Sequence, residues 1–288
     1  MKNNQNFWQV ILNLSLITIV LLWINDAAAE NLAERIGNFP NWENKPLISA
    51  PKTDLIYPDW MAGNWNVEST LIDMVAPLAP KIITPGFEKN RQYLYQPVNF
   101  QVKFIKLKSS LNTKEISEQK LINFPTSWSS VINNNKIEKL DLPPEAVIAD
   151  REFNGLNIGK AFLGDDAILS VKINQYNPNR QTTILADNLE LVSIITSRAS
   201  EQLNPDNFIT CEITQQLFQG DKMIYLNEVE TTTDYHHIID EYQGEIIEAN
   251  QITAIYLSPQ DPNYFLVANH PVALYRYQLR LSAVQENL

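Results

Sequence analysis

Few residues of this 288-residue chain have both the type and the spacing that chemistry needs. Two of its three histidines, His236 and His237, are adjacent. On a strand their side chains leave opposite faces, so they do not chelate one metal together. His270 precedes Pro271 in a turn and has no second ligand at a metal-binding spacing. The single cysteine, Cys211, alternates with Ile209 and Ile213 and reads as a small buried hydrophobe rather than a nucleophile. Alone, it can form neither an intramolecular disulfide nor a thiolate zinc cluster. The pairs Asp165-Asp166 and Asp240-Glu241 sit in polar turns, where neighbouring carboxylates diverge. No Gly-x-Ser-x-Gly elbow, phosphate loop or dinucleotide fingerprint is present, and 8 glycines leave little material for one. The expectation is a protein without a catalytic motif, metal or cofactor, and a cluster of perturbed carboxylates or histidines in a cleft would revive an enzymatic reading.

Arginines and aromatic residues remain as candidates. Arg151 and Arg180 flank one predicted strand pair, and a guanidinium fork suits a carboxylate or phosphate head group. The same residues also support a purely structural reading. In it, Asp150 pairs with Arg151 or Arg180 to lock a turn, and Asn154 and Asn177 cap backbone groups. Tyr95, Phe100 and Phe104 place rings on a barrel wall, with Tyr93, Tyr264, Phe265, Tyr275 and Tyr277. In a narrow barrel such rings fill the interior, whereas about ten strands leave room for a small apolar ligand. Burying about 400 Å² of such a ligand contributes roughly 10 kcal/mol before ordering costs.

The elements that must position these groups are strands. Val98, Phe100, Val102 and Phe104 alternate with polar residues, as do Tyr275, Tyr277, Leu279 and Leu281. Each run has one face in a core and one in water. Further strands are predicted at Trp65–Leu71, Glu145–Ala149, Ala167–Asn174, Thr182–Leu185, Leu189–Thr196, Lys222–Thr233 and Glu245–Leu257. Turn residues punctuate them, including Asn177-Pro178-Asn179 and Asn204-Pro205-Asp206. Many half-buried strands with short polar links imply an antiparallel barrel or a sandwich, which period two does not separate. Met74–Pro85, with three prolines, is expected to cover one end of the sheet. Ser109–Pro144 is a polar excursion with a candidate helix at Thr113–Lys120.

Ahead of the strands lie two other segments. Residues 1–29 carry Lys2, an apolar run from Val10 to Ile24 and a closing Ala27-Ala28-Ala29, the order of a secretory signal peptide. Residues 30–57 form a proline-bearing arm with a short helical start at Leu32–Ile36, and 58–288 form one β domain. A net charge of −11 argues against nucleic acid as a partner.

Tyr57-Pro58-Asp59-Trp60-Met61-Ala62-Gly63-Asn64-Trp65 opens the first predicted strand with Gly-x-Trp. This resembles lipocalin-like (calycin-type) barrels, in which the tryptophan plugs the closed end beneath an arginine from the last strand. The resemblance gives Gly63 and Trp65 that barrel-end role and offers Arg276 or Arg280 as the arginine. A wider resemblance runs from about Tyr57 to Ala283, on the same opening, Val147–Asn154, Tyr176–Arg180, Tyr256–Pro259 and Pro271–Tyr277. These motifs resemble an uncharacterised family of cyanobacterial and chloroplast thylakoid-lumen proteins, a domain of unknown function. It implies a protein of the lumen or periplasm with no established reaction, and the lack of a second apolar run long enough to span a bilayer leads us to expect a soluble or peripheral mature chain. The fold expected is mostly β, a single lipocalin-like barrel with a few short helices. The function expected is binding of a small apolar ligand such as a lipid, pigment or isoprenoid. The alternative is a non-enzymatic assembly or accessory role beside a photosynthetic membrane complex.

Overall fold

A computed structural model of the chain describes residues 31–84, 86–107, 143–220, 224–242, 244–267 and 269–284. The candidate signal peptide at 1–29 and the candidate helix at Thr113–Lys120 lie outside them. The described strands are β1 (Gly63–Val75), β2 (Pro97–Lys106), β3 (Val147–Ala149), β4 (Ile168–Asn174) and β5 (Asn177–Leu185). They continue with β6 (Glu190–Asn204), β7 (Asn207–Gln219), β8 (Ile224–Asp240), β9 (Gly244–Leu257) and β10 (Ala273–Ala283). All ten pair antiparallel in one sheet of order β3-β2-β1-β10-β9-β8-β7-β6-β5-β4. The first and last long strands therefore lie side by side, third and fourth in the order, with Trp65 opposite Ala283. The order is linear, so this is an open sheet curled into a half-barrel, with β3 and β4 as its margins.

Among the described residues four α-helices accompany it: α1 (Leu32–Gly37), α2 (Phe87–Asn90), α3 (Arg151–Leu163) and α4 (Tyr264–Val267). The sequence reading anticipates α1 but not α3, which presents no continuous apolar stripe and has no fully buried residue. Its boundaries are nevertheless written locally. Asp150 accepts a hydrogen bond from Phe153 N at 3.2 Å as N-cap, and Gly164 ends the helix at φ 101°. The reading also sets a turn at Asn177-Pro178-Asn179. Instead β5 begins at Asn177, and Asn174 Oδ1 takes the N–H groups of Tyr176 and Asn177 to make the turn one step earlier.

Helix α3 explains the curl. It packs on β2 and on β4, elements near opposite ends of the strand order. Phe162 lies 6.2 Å from Phe100, which shares a face with Trp65. One helix touching both regions on one face makes that face concave. Asn154 fastens α3 to β2 by taking Lys103 N at 2.7 Å and donating to Lys103 O at 3.1 Å, like a missing strand residue. Against β4 the approach is close because residues 155 and 159 are glycine. A Cβ on Gly159 would stand 2.8 Å from Ile168 Cγ1. Gly159→Val is therefore expected to cost about 1–3 kcal/mol, read as a lower urea midpoint.

The outer face carries the arm. Helix α1 lays Leu32 and Ile36, with Trp42, over Ile209, Cys211, Ile252 and Leu274. Its Arg35 enters the same layer and is 2% exposed. Farther on, Arg198 N donates to Ser49 O at 2.8 Å on a stretch of β6 beyond the last β5 pair, Arg180 with Ile194. Tyr57 N donates to Val147 O at 2.8 Å on β3. Residues 49–57 thus run from β6 to β3 and join the two sides of the half-barrel that the sheet leaves apart.

Candidate functional site

The concave face has two unlike ends. At the β1 start it is stoppered. Trp65 is 2% exposed and its indole N–H donates to Met61 O at 2.9 Å, closing the turn before the strand onto its own ring. Phe104, Phe208, Val147 and Leu281 complete that layer. Tyr57 sets its ring edge-on to Phe104 and Phe208 at 4.8 and 5.9 Å. Outside it, Trp60 stacks on His237 at 5.1 Å and donates to Pro205 O at 2.9 Å. His237 also lies 3.3 Å from Asp206 and 2.8 Å from Glu245.

Strand alternation decides the arginines. Arg280 pairs in register with Glu68, and both fall on the face opposite Trp65 and Leu281. The expected arginine over Trp65 is therefore replaced by other contacts. Arg280 reaches Glu248 at 2.9 Å, and Arg276 lies over the Phe39 ring at 5.6 Å and donates to Asn250 at 3.0 Å. The same rule separates the histidines, with His237 turned inward and His236 bonded to Asp234 on the other face at 3.1 Å. Among the described residues, no three His, Cys, Asp or Glu side chains are grouped to hold a metal.

Of the candidate binding residues, Phe100 and Phe104 face the interior. Tyr95 stands on the rim, 70% exposed, in a left-handed turn at φ 61°. Arg180 is exposed on β5. Arg151 is part of a closed charge network instead of an open clamp. It donates to Pro178 O and lies 4.0 Å from Asp54, which in turn lies 3.9 Å from Arg198. Arg198 donates to Glu212 at 2.6 Å and to Thr53 O. Burial raises the Asp54 carboxyl above its usual range, and the two guanidiniums oppose that shift. Two cations meet two anions, so the network is balanced and serves to seat the arm. A groove of about 510 Å³ on the outside of β1, β2 and β10 is likewise internally paired, with Gln101 donating to Asn66 at 2.8 Å.

The other end of the concave face differs. There β7, β8 and β10 turn inward Phe218, Tyr225, Asn227, Thr231, Tyr275 and Tyr277, most of them only half-buried. Phe218 and Tyr225 stand 6.2 Å apart. The β1–β2 connection covers part of this mouth, as its prolines predict. Phe87 lies 5.8 Å from Tyr275, and Asn90 donates to the Tyr275 hydroxyl at 3.1 Å. Asn227 is 7% exposed, and its Oδ1 accepts no hydrogen bond among the described residues. The Asn227 amide is in hydrogen-bonding contact with the Tyr225 hydroxyl. Asn179 Oδ1 and Asn207 Oδ1 are buried and unpartnered in the same way, so water or a donor from outside the fold can meet each of these oxygens. The sequence reading passes over Phe218, Tyr225 and Asn227, although their period-two spacing was visible.

Burial also pushes tyrosines up: Tyr235 and Tyr277 to about 12, and Tyr57 and Tyr256 well above the ordinary value. In the unfolded chain each ionises near 10. The fold holds them protonated longer, so stability is fully present below pH 10 and is lost as pH rises toward 12. The expected slope is about 1.4 kcal/mol per pH unit for each such tyrosine. Urea midpoints measured against pH, with tyrosinate absorbance alongside, check it.

No curated protein and no solved structure matches the chain significantly. The family model described as domain of unknown function DUF6816 matches residues 49–285, from the arm residue that bridges to β6 through the end of β10. The chain belongs to that family.

Proposed function

We propose that the chain is an exported, non-enzymatic binding protein of a lumen or periplasm. Its small amphipathic ligand enters the half-barrel at the end opposite Trp65. The observation that carries this reading is Asn227, buried with an unpartnered Oδ1 beside the half-open aromatic mouth of Phe218, Tyr225 and Tyr277. A ligand with a hydroxyl or amide donor satisfies that oxygen while its apolar body lies on the rings. The Gly-x-Trp opening and the stoppered end support a lipocalin-like use of the interior, and the pattern of residues 1–29 supports export. Lipids, pigments and isoprenoids with a polar head meet these requirements.

The test is mass spectrometry under native conditions, with an absorption spectrum, on protein isolated from its own compartment. A stoichiometric small molecule is expected. Asn227→Leu, which keeps the volume and removes the acceptor, is expected to lower its occupancy about tenfold, the discrimination one buried hydrogen bond confers. Protein recovered empty from its own compartment, or equal occupancy in the variant, would overturn the reading. Recovery of empty protein with subunits of a membrane complex would replace it by the accessory role.

A further inference from the structure

The rim of the open mouth carries a second feature that ligand binding does not use. Helix α4 lies in the β9–β10 connection. Its base is fixed, because Val267 and Tyr264 pack with Leu257, Val272, Leu78 and Ile82. Its tip is not covered: Phe265 is 87% exposed and Leu266 79%. Two adjacent large apolar side chains held out on a seated turn form a wedge. Ile83, 43% exposed, is a further exposed apolar residue on the β1–β2 connection, next in sequence to Ile82 of the wedge's base.

The surroundings of the wedge narrow the choice of occupant. Tyr264 lies edge-on to Phe265 at 5.4 Å, and Tyr93 and Tyr95 are exposed on the same connection as Ile83. Tyrosine, with an apolar ring and a polar tip, concentrates where a bilayer meets water. Charge adds a sign. Residues 76–96 carry Lys81, Lys89 and Arg91 against Glu88 alone, on a chain of net −11. Lys81 adjoins Ile82 in the wedge's own support and is exposed. Asp261, the acidic residue of the β9–β10 connection, takes Asn263 N at 2.8 Å in a tight turn. Elsewhere the surface is acidic, with Asp165, Asp166 and Asp187 at the same end of the sheet beside β4 and β5 and Asp206, Asp240, Glu241 and Glu245 at the opposite end, so the cations are confined to the β1–β2 side of the rim.

We propose that this rim docks on an anionic bilayer, with Phe265 and Leu266 inserted at the boundary between head groups and acyl chains and Lys81 and Lys89 over the lipid head groups. An apolar wedge with an amphipathic ring and adjacent cations is the composition that seats a protein in a membrane interface. Docking in this pose turns the half-barrel mouth toward the lipid.

The test uses the full chain with a fluorophore on Leu266→Cys, and separately on Tyr242→Cys at the acidic end, where Tyr242 is 94% exposed. The native Cys211 is 0% exposed and stays unlabelled. Vesicles are phosphatidylcholine alone or with phosphatidylglycerol. On the anionic vesicles, iodide quenching of the label at 266 is expected to fall about fivefold or more, as for a group leaving water for the interface. The label at 242 should not change. Lys81→Gln with Lys89→Gln should return the 266 label to water at moderate salt. Comparing positions 266 and 242 keeps the result independent of any binding by residues 1–29. Equal quenching at 266 with and without anionic vesicles would overturn the proposal. So would protection at 266 that appears without lipid and rises with protein concentration, which would make the wedge a contact between copies.

Discussion

Replacing Glu230 by alanine is expected to destabilise the fold by about 3–5 kcal/mol and to free the N-terminal arm from the sheet. Glu230 is 0% exposed, and Arg35 of α1 meets it with Nε at 2.5 Å and Nη2 at 2.7 Å. The Tyr256 hydroxyl donates to the same carboxylate at 2.8 Å and the Thr232 hydroxyl at 2.9 Å. Arg35 in turn gives Nη2 to Asn44 O at 2.8 Å and lies 4.0 Å over the Trp42 ring. Removing the carboxylate leaves a guanidinium in an apolar layer, and the cheapest relief is for α1 to lift and take Arg35 to water. Cys211 reports that movement, because its Sγ lies 3.7 Å from Glu230 under the helix. Burial and the Glu230 carboxylate push its thiol well up, so the parent protein should resist maleimide. In Glu230→Ala the thiol should label at least tenfold faster, alongside the lowered urea midpoint. A Glu230→Leu, Arg35→Met double variant should recover much of the loss, since well-packed apolar residues often replace a buried pair without cost. A Glu230→Ala protein that melts like its parent with Cys211 still protected would show that α1 is held by Leu32, Ile36 and Trp42 alone.

This network also marks where sequence reasoning stops. Strands announce themselves because their side chains alternate between neighbours two apart, so β1, β2, β7 and β10 are readable from their own residues. Cys211 is readable as buried for the same reason. Arg35 and Glu230 are 195 positions apart, and nothing local to either tells it of the other. On its own, Glu230 reads as a solvent-facing residue of a long strand. The arm from 49 to 57 is similar: Ser49 and Tyr57 each make one bridge, to β6 and β3, too little to leave a period. Helix α3 failed for a different reason. Packed edge to edge between β2 and β4, it buries no full stripe, and its two glycines are points of close approach that add nothing to a helical pattern.

The site shows the same division. Phe100 and Phe104 were found because alternation puts them inside. Arg151 and Arg180 were paired because they flank one predicted strand pair, yet Arg151 is engaged by Asp54 and Pro178 while Arg180 stands in water. Asn227 could be assigned to the inner face from the pattern of β8, but an unpartnered oxygen is a property of the folded surroundings and leaves no mark on the sequence.

Trp65→Ala is expected to cost about 3–5 kcal/mol, the other large loss in this molecule. The side chain is 2% exposed, and its ring fills the layer between Met61, Phe104, Val147 and Leu281. Truncation removes that packing and leaves a void whose walls come from strands too well tied to collapse: β1 is paired on both sides, to β2 and β10. It also frees Met61 O, which the indole caps at 2.9 Å in the turn that starts the strand. Trp65→Phe keeps much of the volume and loses only the hydrogen bond, so its cost should be nearer 1–2 kcal/mol. Trp60→Ala should also cost less, because Trp60 lies outside the stopper on His237 and keeps part of its surface in water. Urea denaturation of the three variants gives the order directly. If Trp60→Ala proved as damaging as Trp65→Ala, the stopper would be the outer stack of Trp60 and His237, and Gly-x-Trp would mark only the start of a strand. The expected order instead makes Trp65 the floor of the half-barrel, leaving the end lined by Tyr225 and Asn227 as its opening.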